Sequence, residues 1–268
     1  MWHRWLMGVL LLMPVLGLSQ KMEHQAFQPG EKVRYKAYYN WGFIWVHAGN
    51  VLFEVDQVNH RNQKAYRFQA SGRSLKSYDW IFKVRDHFSS LATKSLLNPR
   101  RFRRNTYEGG YAVENEYIFD HNRSKIYTQV NNSKEPYKED TLSMEKRVFD
   151  VLTAIYYARN LDFSKYDVNQ KIPLNLIIDN KIYELYLRYQ GQEEIKIRGD
   201  QHYNCIKFSA MLVEGTIFSG GEHLSVWVTN DQNRIPVMVK SKILVGSVKA
   251  ILQSAENLKH PTVLSNVH

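Results

Sequence analysis

The stretch Arg103-Arg-Asn-Thr-Tyr-Glu-Gly-Gly-Tyr-Ala-Val-Glu-Asn-Glu116 is the part of the sequence that decides the fold class. Its two adjacent glycines favour a two-residue hairpin turn, because glycine readily adopts the positive φ angles that such turns need. Counting outward from the turn places Tyr107 opposite Ala112 and Arg103 opposite Glu116. We therefore predict an antiparallel hairpin whose arginines pair with glutamates across the strands rather than with nucleic acid.

Alternating residues extend the strand pattern in both directions from this hairpin. Val51, Phe53 and Val55 alternate with more polar neighbours, which predicts one dry and one wet face, as in antiparallel sheets. Further along, Asp179-Asn180 favours a tight turn between two apolar runs. Strands are predicted on either side of that turn and beyond it, at 172–178, 181–190, 193–198, 203–213, 222–229, 235–243 and 247–253.

One segment, 143–161, shows helical spacing instead. Its apolar residues recur at intervals of three and four: Val148, Val151, Leu152, Ile155 and Ala158. The order of these elements along the chain is strands, one long central helix and then strands again. It predicts an α+β, β-rich fold with curved antiparallel sheets, arranged as a half-barrel or as two lobes. We expect Leu152 and Ile155 to be buried against the sheet; the alternative is a movable lid whose apolar stripe faces a ligand.

The first 19 residues predict export. A short cationic start, an apolar run of about ten residues and small residues at Gly17 and Ser19 are typical of a secretory signal peptide. The run is shorter than the roughly twenty apolar residues that a membrane span needs, and no cysteine follows it that could carry a lipid anchor. We expect a periplasmic or secreted protein that is not transmembrane; an uncleaved N-terminal anchor is the alternative.

After the signal peptide (residues 1–19), the pattern predicts a single domain over 20–256. It consists of a β-rich half (27–140), the helix and a second β-rich half (172–253). Residues 257–268 show little periodicity and are predicted to form a flexible tail.

Three stretches resemble the bacterial family of exported proteins known as DUF3108, a domain of unknown function. They are Phe27-Gln-Pro-Gly-Glu-Lys-Val-Arg-Tyr35 with its continuation to Gly49, the helical segment Asp150–Arg159, and Trp227–Asp231 with Arg234–Val237. The resemblance implies a β-rich envelope protein. The family has no established reaction, cofactor or catalytic residues, so no catalytic residue is implied. At the level of fold alone, the pattern also resembles the open half-barrel of periplasmic lipoprotein carriers.

The sequence gives little support for catalysis. Its histidines show no His-x-His or His-Glu-x-x-His spacing, and the Gly-x-Ser-x-Gly and phosphate-loop motifs are absent. Cys205, the single cysteine, lies in an apolar strand and is expected to pack there as a small apolar side chain. We therefore expect no enzyme, no cofactor and no metal site.

Charge and aromatic content indicate a binding function. The net charge of +10 favours anionic partners, although a soluble basic surface explains it equally well. The sequence contains 17 Tyr, 12 Phe and 6 Trp, enough to line a curved sheet. Our leading hypothesis is an envelope protein that binds an apolar or amphipathic anionic ligand such as a lipid. The alternative is an assembly module that docks on an envelope protein partner or anionic glycan without a ligand cavity. Nucleic acid is not an expected partner.

Five residues are candidate ligand contacts. Trp41, Phe43 and Trp45 lie close together near a strand break and are predicted to form a ligand lip, with ordinary core packing as the alternative. Tyr157 lies towards the end of the helix. Arg234, at a strand start, could bind a carboxylate or phosphate with two parallel hydrogen bonds; the alternative is that it ties its turn to Asp231 or to backbone carbonyls.

Overall fold

Strands account for most of the molecule. The computed structural model describes residues 26–41, 43–198, 201–214, 219–243 and 246–264. About 66% of the described residues are in strands and 8% are helical. The strands are β1 (Lys32–Trp41), β2 (Ile44–His60), β3 (Gln63–Ser74), β4 (Val84–Thr93), β5 (Pro99–Glu108), β6 (Tyr111–Asp120), β7 (Lys125–Asn132), β8 (Lys138–Ser143), β9 (Val148–Phe149), β10 (Lys171–Ile178), β11 (Lys181–Arg198), β12 (Gln201–Glu214), β13 (Ser219–Thr229), β14 (Pro236–Lys242) and β15 (Ser247–Glu256). The α-helices are α1 (Asp79–Phe82) and α2 (Val151–Arg159), and two short 3-10 helices lie at Lys76–Tyr78 and Phe163–Lys165.

The fifteen strands of the described residues belong to one sheet made of two meanders. The order runs from β8 back to β1, then from β15 back to β9, and β1 pairs antiparallel with β15. The two edge strands, β8 and β9, are separated along the chain only by residues 144–147. Since a fully extended residue spans at most about 3.6 Å, the edges lie within about 18 Å of each other there. The sheet therefore curls until its edges approach.

The predicted long central helix over 143–161, and with it the α+β class, is wrong. Helix α2 has only nine residues. It begins after Asp150, whose backbone is extended and whose carboxylate accepts a hydrogen bond from the N–H of Thr153, a helix N-cap. Val148, which we assigned to the helix, lies in β9 and pairs with Asn175. The N-cap at Asp150 thus separates β9, which ends at Phe149, from the short helix. The fold is almost entirely sheet.

The inner face of the sheet wraps around α2 and is filled by aromatic side chains. The rings of Phe68 and Tyr156 stack at 4.0 Å between centroids, and Phe27 packs edge-on against both. Leu152 lies in the same cluster and is 2% exposed. The aromatic residues of this half therefore pack against one another.

Ile155, which we expected to be buried, is 39% exposed. The helix begins later than predicted. Its buried residues include Leu152, Tyr156 and Arg159 on one face and Ala154 and Ala158 on another. Ile155 lies between these faces and points outward.

The predicted hairpin is confirmed. Arg103 pairs with Glu116 and Tyr107 with Ala112 across β5 and β6. The Nε atom of Arg103 donates to a carboxylate oxygen of Glu116 at 3.0 Å. The turn between β10 and β11 also lies at Asp179-Asn180, both with positive φ.

The C-terminal segment packs against the turn between β13 and β14. Asn233 donates to the carbonyl of His260 at 2.9 Å, Thr262 donates to Asp231 at 3.0 Å, and Leu264 is buried. Among the described residues, no helix is long and apolar enough to span a membrane.

Candidate ligand-binding groove

The three aromatic residues predicted to form a ligand lip lie at the tip of the β1–β2 hairpin. Trp41 ends β1, and its side chain lies outside the described part of the structure. Phe43 is fully exposed, which excludes core packing for this residue. Trp45 is half-buried beneath Lys249, whose Nζ lies 4.1 Å from the indole ring centre.

The other two predicted contacts lie elsewhere. Tyr157 packs against Phe149, with 4.7 Å between ring centroids. Arg234 follows β13 at the end of the sheet opposite to the hairpin tip, and its backbone N–H donates to Asp231 at 3.1 Å. Its guanidinium lies 5.4 Å above the ring of Phe163, and one buried nitrogen of the group has no partner among the described residues. Burial lowers the pKa of this guanidinium. The structure therefore does not bring the five residues together.

A groove of about 620 Å³ lies instead on the outer face of the sheet. Most of its lining residues belong to two rows of cross-strand neighbours, since paired residues on adjacent strands project to the same face. The first row crosses β1 to β5, and the second crosses β2 to β4. The first row consists of Arg34, Leu52, Ser71, His87 and Asn105. The second row consists of Asn50, Arg73 and Arg85. Gln253 of β15 lies beside them.

Three arginines line the groove, and two of them are paired with carboxylates. Arg34 forms an ion pair with Glu256. Arg85 donates to Asp79 at 3.1 Å, and hydrogen bonds from Arg85 and Ser74 lower the pKa of that carboxyl group. The side chain of Arg73, in contrast, makes no ion pair or hydrogen bond within the described ranges. Arg73 is therefore the cation of this groove that is free to meet a ligand.

A buried carboxyl group belongs to Asp86, a residue that also lines the groove. Asp86 projects to the inner face, opposite Gly72, and its Oδ1 atom is buried without a partner among the described residues. Burial, reinforced by the nearby Glu108, raises the pKa of Asp86 to about 7.

Two further expectations concern reactive groups. Cys205 is buried, as predicted from its apolar strand, and burial raises the pKa of its thiol to about 12. In the described part of the chain, no group of three His, Cys, Asp or Glu side chains could hold a metal ion.

The groove residues lie within a region that matches a known family. A model of the family described as protein of unknown function, DUF3108, matches residues 34–253. The chain belongs to the DUF3108 family. The first and last residues of this DUF3108 match, Arg34 and Gln253, both line the groove.

The fold of this DUF3108 protein is also similar to a solved structure. That structure is the crystal structure of a beta-barrel-like protein of domain of unknown function DUF1849 from Brucella abortus, with a TM-score of 0.52 and 11% sequence identity. The similarity covers 87% of this chain and 100% of that chain. At this identity it concerns the fold alone. No curated protein matches the sequence significantly.

The sequence pattern did not reveal the groove, because the groove residues are ordinary polar residues on the solvent-exposed face of the strands. They come from positions as distant as Arg34 and Gln253. Only the register across five strands, together with the β1–β15 pairing, places them side by side. The run of alternating polar residues was visible in the sequence, but it does not specify which strands are neighbours.

Proposed function

We propose that this DUF3108 protein is an exported, non-enzymatic binding protein that holds the anionic group of an amphipathic ligand in the outer groove. The observation that carries the proposal is the guanidinium of Arg73, which lies between Asn50 and Arg85 and has no ion-pair or hydrogen-bond partner among the residues that the structure describes. A guanidinium can bind a phosphate or carboxylate through two parallel hydrogen bonds.

The groove also suits the rest of such a ligand. Its volume of about 620 Å³ lies within the range usual for small-molecule sites, about 300–1,000 Å³. Leu52 and the side-chain carbons of the arginines offer apolar contact, while Ser71 and Asn105 offer hydrogen bonds. The aromatic interior around α2 is a poorer candidate, because Phe27, Phe68 and Tyr156 already fill it.

Isothermal titration calorimetry with octyl phosphate, inorganic phosphate and neutral octyl glucoside tests this proposal. We expect octyl phosphate to bind most tightly and Arg73→Glu to weaken it by about tenfold or more, equivalent to about 1.4 kcal/mol. Lys64→Glu is the matched control, because it makes the same charge change on an exposed residue of the same strand, nine residues away.

Equal affinity for octyl glucoside, or unchanged binding by Arg73→Glu, would contradict the groove as an anion site. Mass spectrometry of the protein purified from its own host then identifies the natural source of the anion, a lipid or an acidic glycan. A protein that carries no ligand and binds none of the three probes would instead support the docking module without a cavity.

Export rests on the sequence pattern of residues 1–19, which lie outside the described residues. Intact-mass analysis of the protein from its host should give an N-terminus between about residues 18 and 22. Retention of Met1 would contradict a released protein.

A further inference from the structure

One end of the sheet exposes large apolar side chains. Phe43 lies in the turn of the β1–β2 hairpin, Ile44 is the first residue of β2, and both are exposed; Trp80 of α1 is 82% exposed. Ile81 and Phe82 of α1 are exposed as well. We call this region the hairpin end.

The two elements of the hairpin end lie at the same end of adjacent strands, β2 and β3. The connection that contains α1 leaves β3 beside β2, because the N–H of Leu75 donates to the carbonyl of Ala48 at 2.8 Å. From Ala48, strand β2 runs back to the turn at Phe43, which at about 3.3 Å per residue projects roughly 16 Å further. Both apolar groups therefore occupy the same end of the molecule.

Lysine residues lie next to the apolar residues of the hairpin end. Lys249 and Lys240 are cross-strand partners, and both ammonium groups lie over the Trp45 ring, at 4.1 and 5.9 Å from its centre. Lys76 and Lys83 flank α1 in the sequence, and both are exposed.

The one acidic residue of α1 does not offset this charge, because Asp79 is neutralised by its ion pair with Arg85. The hairpin end thus combines an apolar tip with a positively charged base.

We infer that the hairpin end docks on the surface of a lipid bilayer that contains anionic phospholipids. Aromatic residues such as Trp80 are suited to the boundary between headgroups and acyl chains. Lysine side chains can extend along an apolar surface while their ammonium groups reach the headgroup phosphates. The inference uses residues other than those of the groove and does not depend on the proposed function.

Charge favours a bilayer over a second copy of the chain. A symmetric contact through the hairpin end would bring Lys240 and Lys249 of both copies close together, and like charges oppose such a contact. Anionic headgroups neutralise the same lysines. Moreover, Phe43 stands on a narrow turn, which can enter between headgroups without a complementary cavity.

Vesicle co-sedimentation tests the inference. We expect the protein without residues 1–19 to bind vesicles of phosphatidylcholine with 30% phosphatidylglycerol and to bind pure phosphatidylcholine vesicles much less. The double variant Phe43→Ser/Trp80→Ser should bind at least tenfold more weakly. Val168→Ser is the matched control, since Val168 is 59% exposed but lies beside Gly191 in the middle of β11.

Two further measurements separate docking from loss of fold and from self-association. The melting temperature of the double variant should match that of the parent, because both substituted side chains are exposed. Lys240→Glu/Lys249→Glu should weaken binding to the anionic vesicles, whereas Arg73→Glu should still blue-shift tryptophan emission on their addition. No binding of the parent to anionic vesicles, full binding by Phe43→Ser/Trp80→Ser, or a lipid-free dimer that this variant abolishes would overturn the inference.

Discussion

Arg159 and Glu31 form an ion pair inside the protein, with Nη1 of the arginine 2.6 Å from a carboxylate oxygen of the glutamate. Their side chains are 5% and 0% exposed. The same guanidinium donates to the carbonyl of Asn233 at 2.9 Å and to that of Ala26 at 2.9 Å. One side chain at the end of α2 therefore joins the N-terminal segment to the turn between β13 and β14.

Removal of one charge of this pair should destabilise the fold strongly. Glu31→Gln leaves the buried guanidinium of Arg159 without a counter-charge, so we expect the free energy of unfolding to fall by about 3–5 kcal/mol. Urea denaturation measures this change. Arg103→Gln is the control, because the Arg103–Glu116 pair is solvent-exposed on the arginine side and should contribute at most about 1 kcal/mol. Equal effects of the two substitutions would show that the buried pair does not form.

The two central apolar residues of α2 should behave differently on truncation. Leu152→Ala leaves a void within the inner cluster and should cost about 2–5 kcal/mol. Ile155→Ala removes a largely exposed side chain, so its cost should stay within about 1 kcal/mol. Thermal melts of both variants provide the comparison. Large costs at both positions would instead favour the burial that the sequence pattern predicted, with Leu152 and Ile155 both packed against the sheet.

The hairpin around Gly109-Gly110 shows what local sequence can specify. A two-residue turn leaves a single register, so the pairing of Arg103 with Glu116 follows by counting and is confirmed. The extent of α2 could not be obtained in the same way, because Val148 fits an apolar helical stripe as well as a buried strand. Asp150 is the residue that separates the two, since it is the helix N-cap.

The candidate site depends on contacts that are distant in sequence. Arg234 and Arg73 are both single arginines in β-rich segments, and the sequence did not distinguish their roles. The structure places the guanidinium of Arg234 over Phe163, whereas it places Arg73 in an open groove. The groove around Arg73 is completed by the β1–β15 pairing, which joins residues more than 200 positions apart, such as Arg34 and Ser254.

The stability of the protein should depend on the protonation of Asp86. Burial, followed by the charge of Glu108, raises its pKa to about 7 in the folded protein, above the unfolded value of about 3.9. The folded state therefore holds this proton more tightly, and the stability is lost as pH rises from about 4 to about 7. We expect Asp86→Asn to raise the melting temperature more at pH 8 than at pH 5. An equal shift at both pH values would contradict a raised pKa.

Two glycines close to the groove should respond in opposite ways to alanine. A Cβ atom at Gly49 would lie 2.5 Å from the carbonyl oxygen of Arg73, closer than real contacts allow, so β2 and β3 must separate there. At Gly72 a Cβ atom would lie 3.8 Å from the nearest atoms of Asp86, which is ordinary contact. Neither glycine has a positive φ, so only the space around each one differs.

Gly49→Ala should therefore destabilise the fold by about 1–3 kcal/mol, and it should also weaken octyl phosphate binding because it displaces the backbone that carries Arg73. Gly72→Ala should be neutral or stabilising by up to about 1 kcal/mol, since alanine restricts the unfolded chain more than glycine does. Urea denaturation and calorimetry on both variants measure the two effects. If Gly49→Ala matched Gly72→Ala in stability, the close approach of β2 to Arg73 would be contradicted. If it lost stability but kept full affinity, the groove would not depend on the position of Arg73.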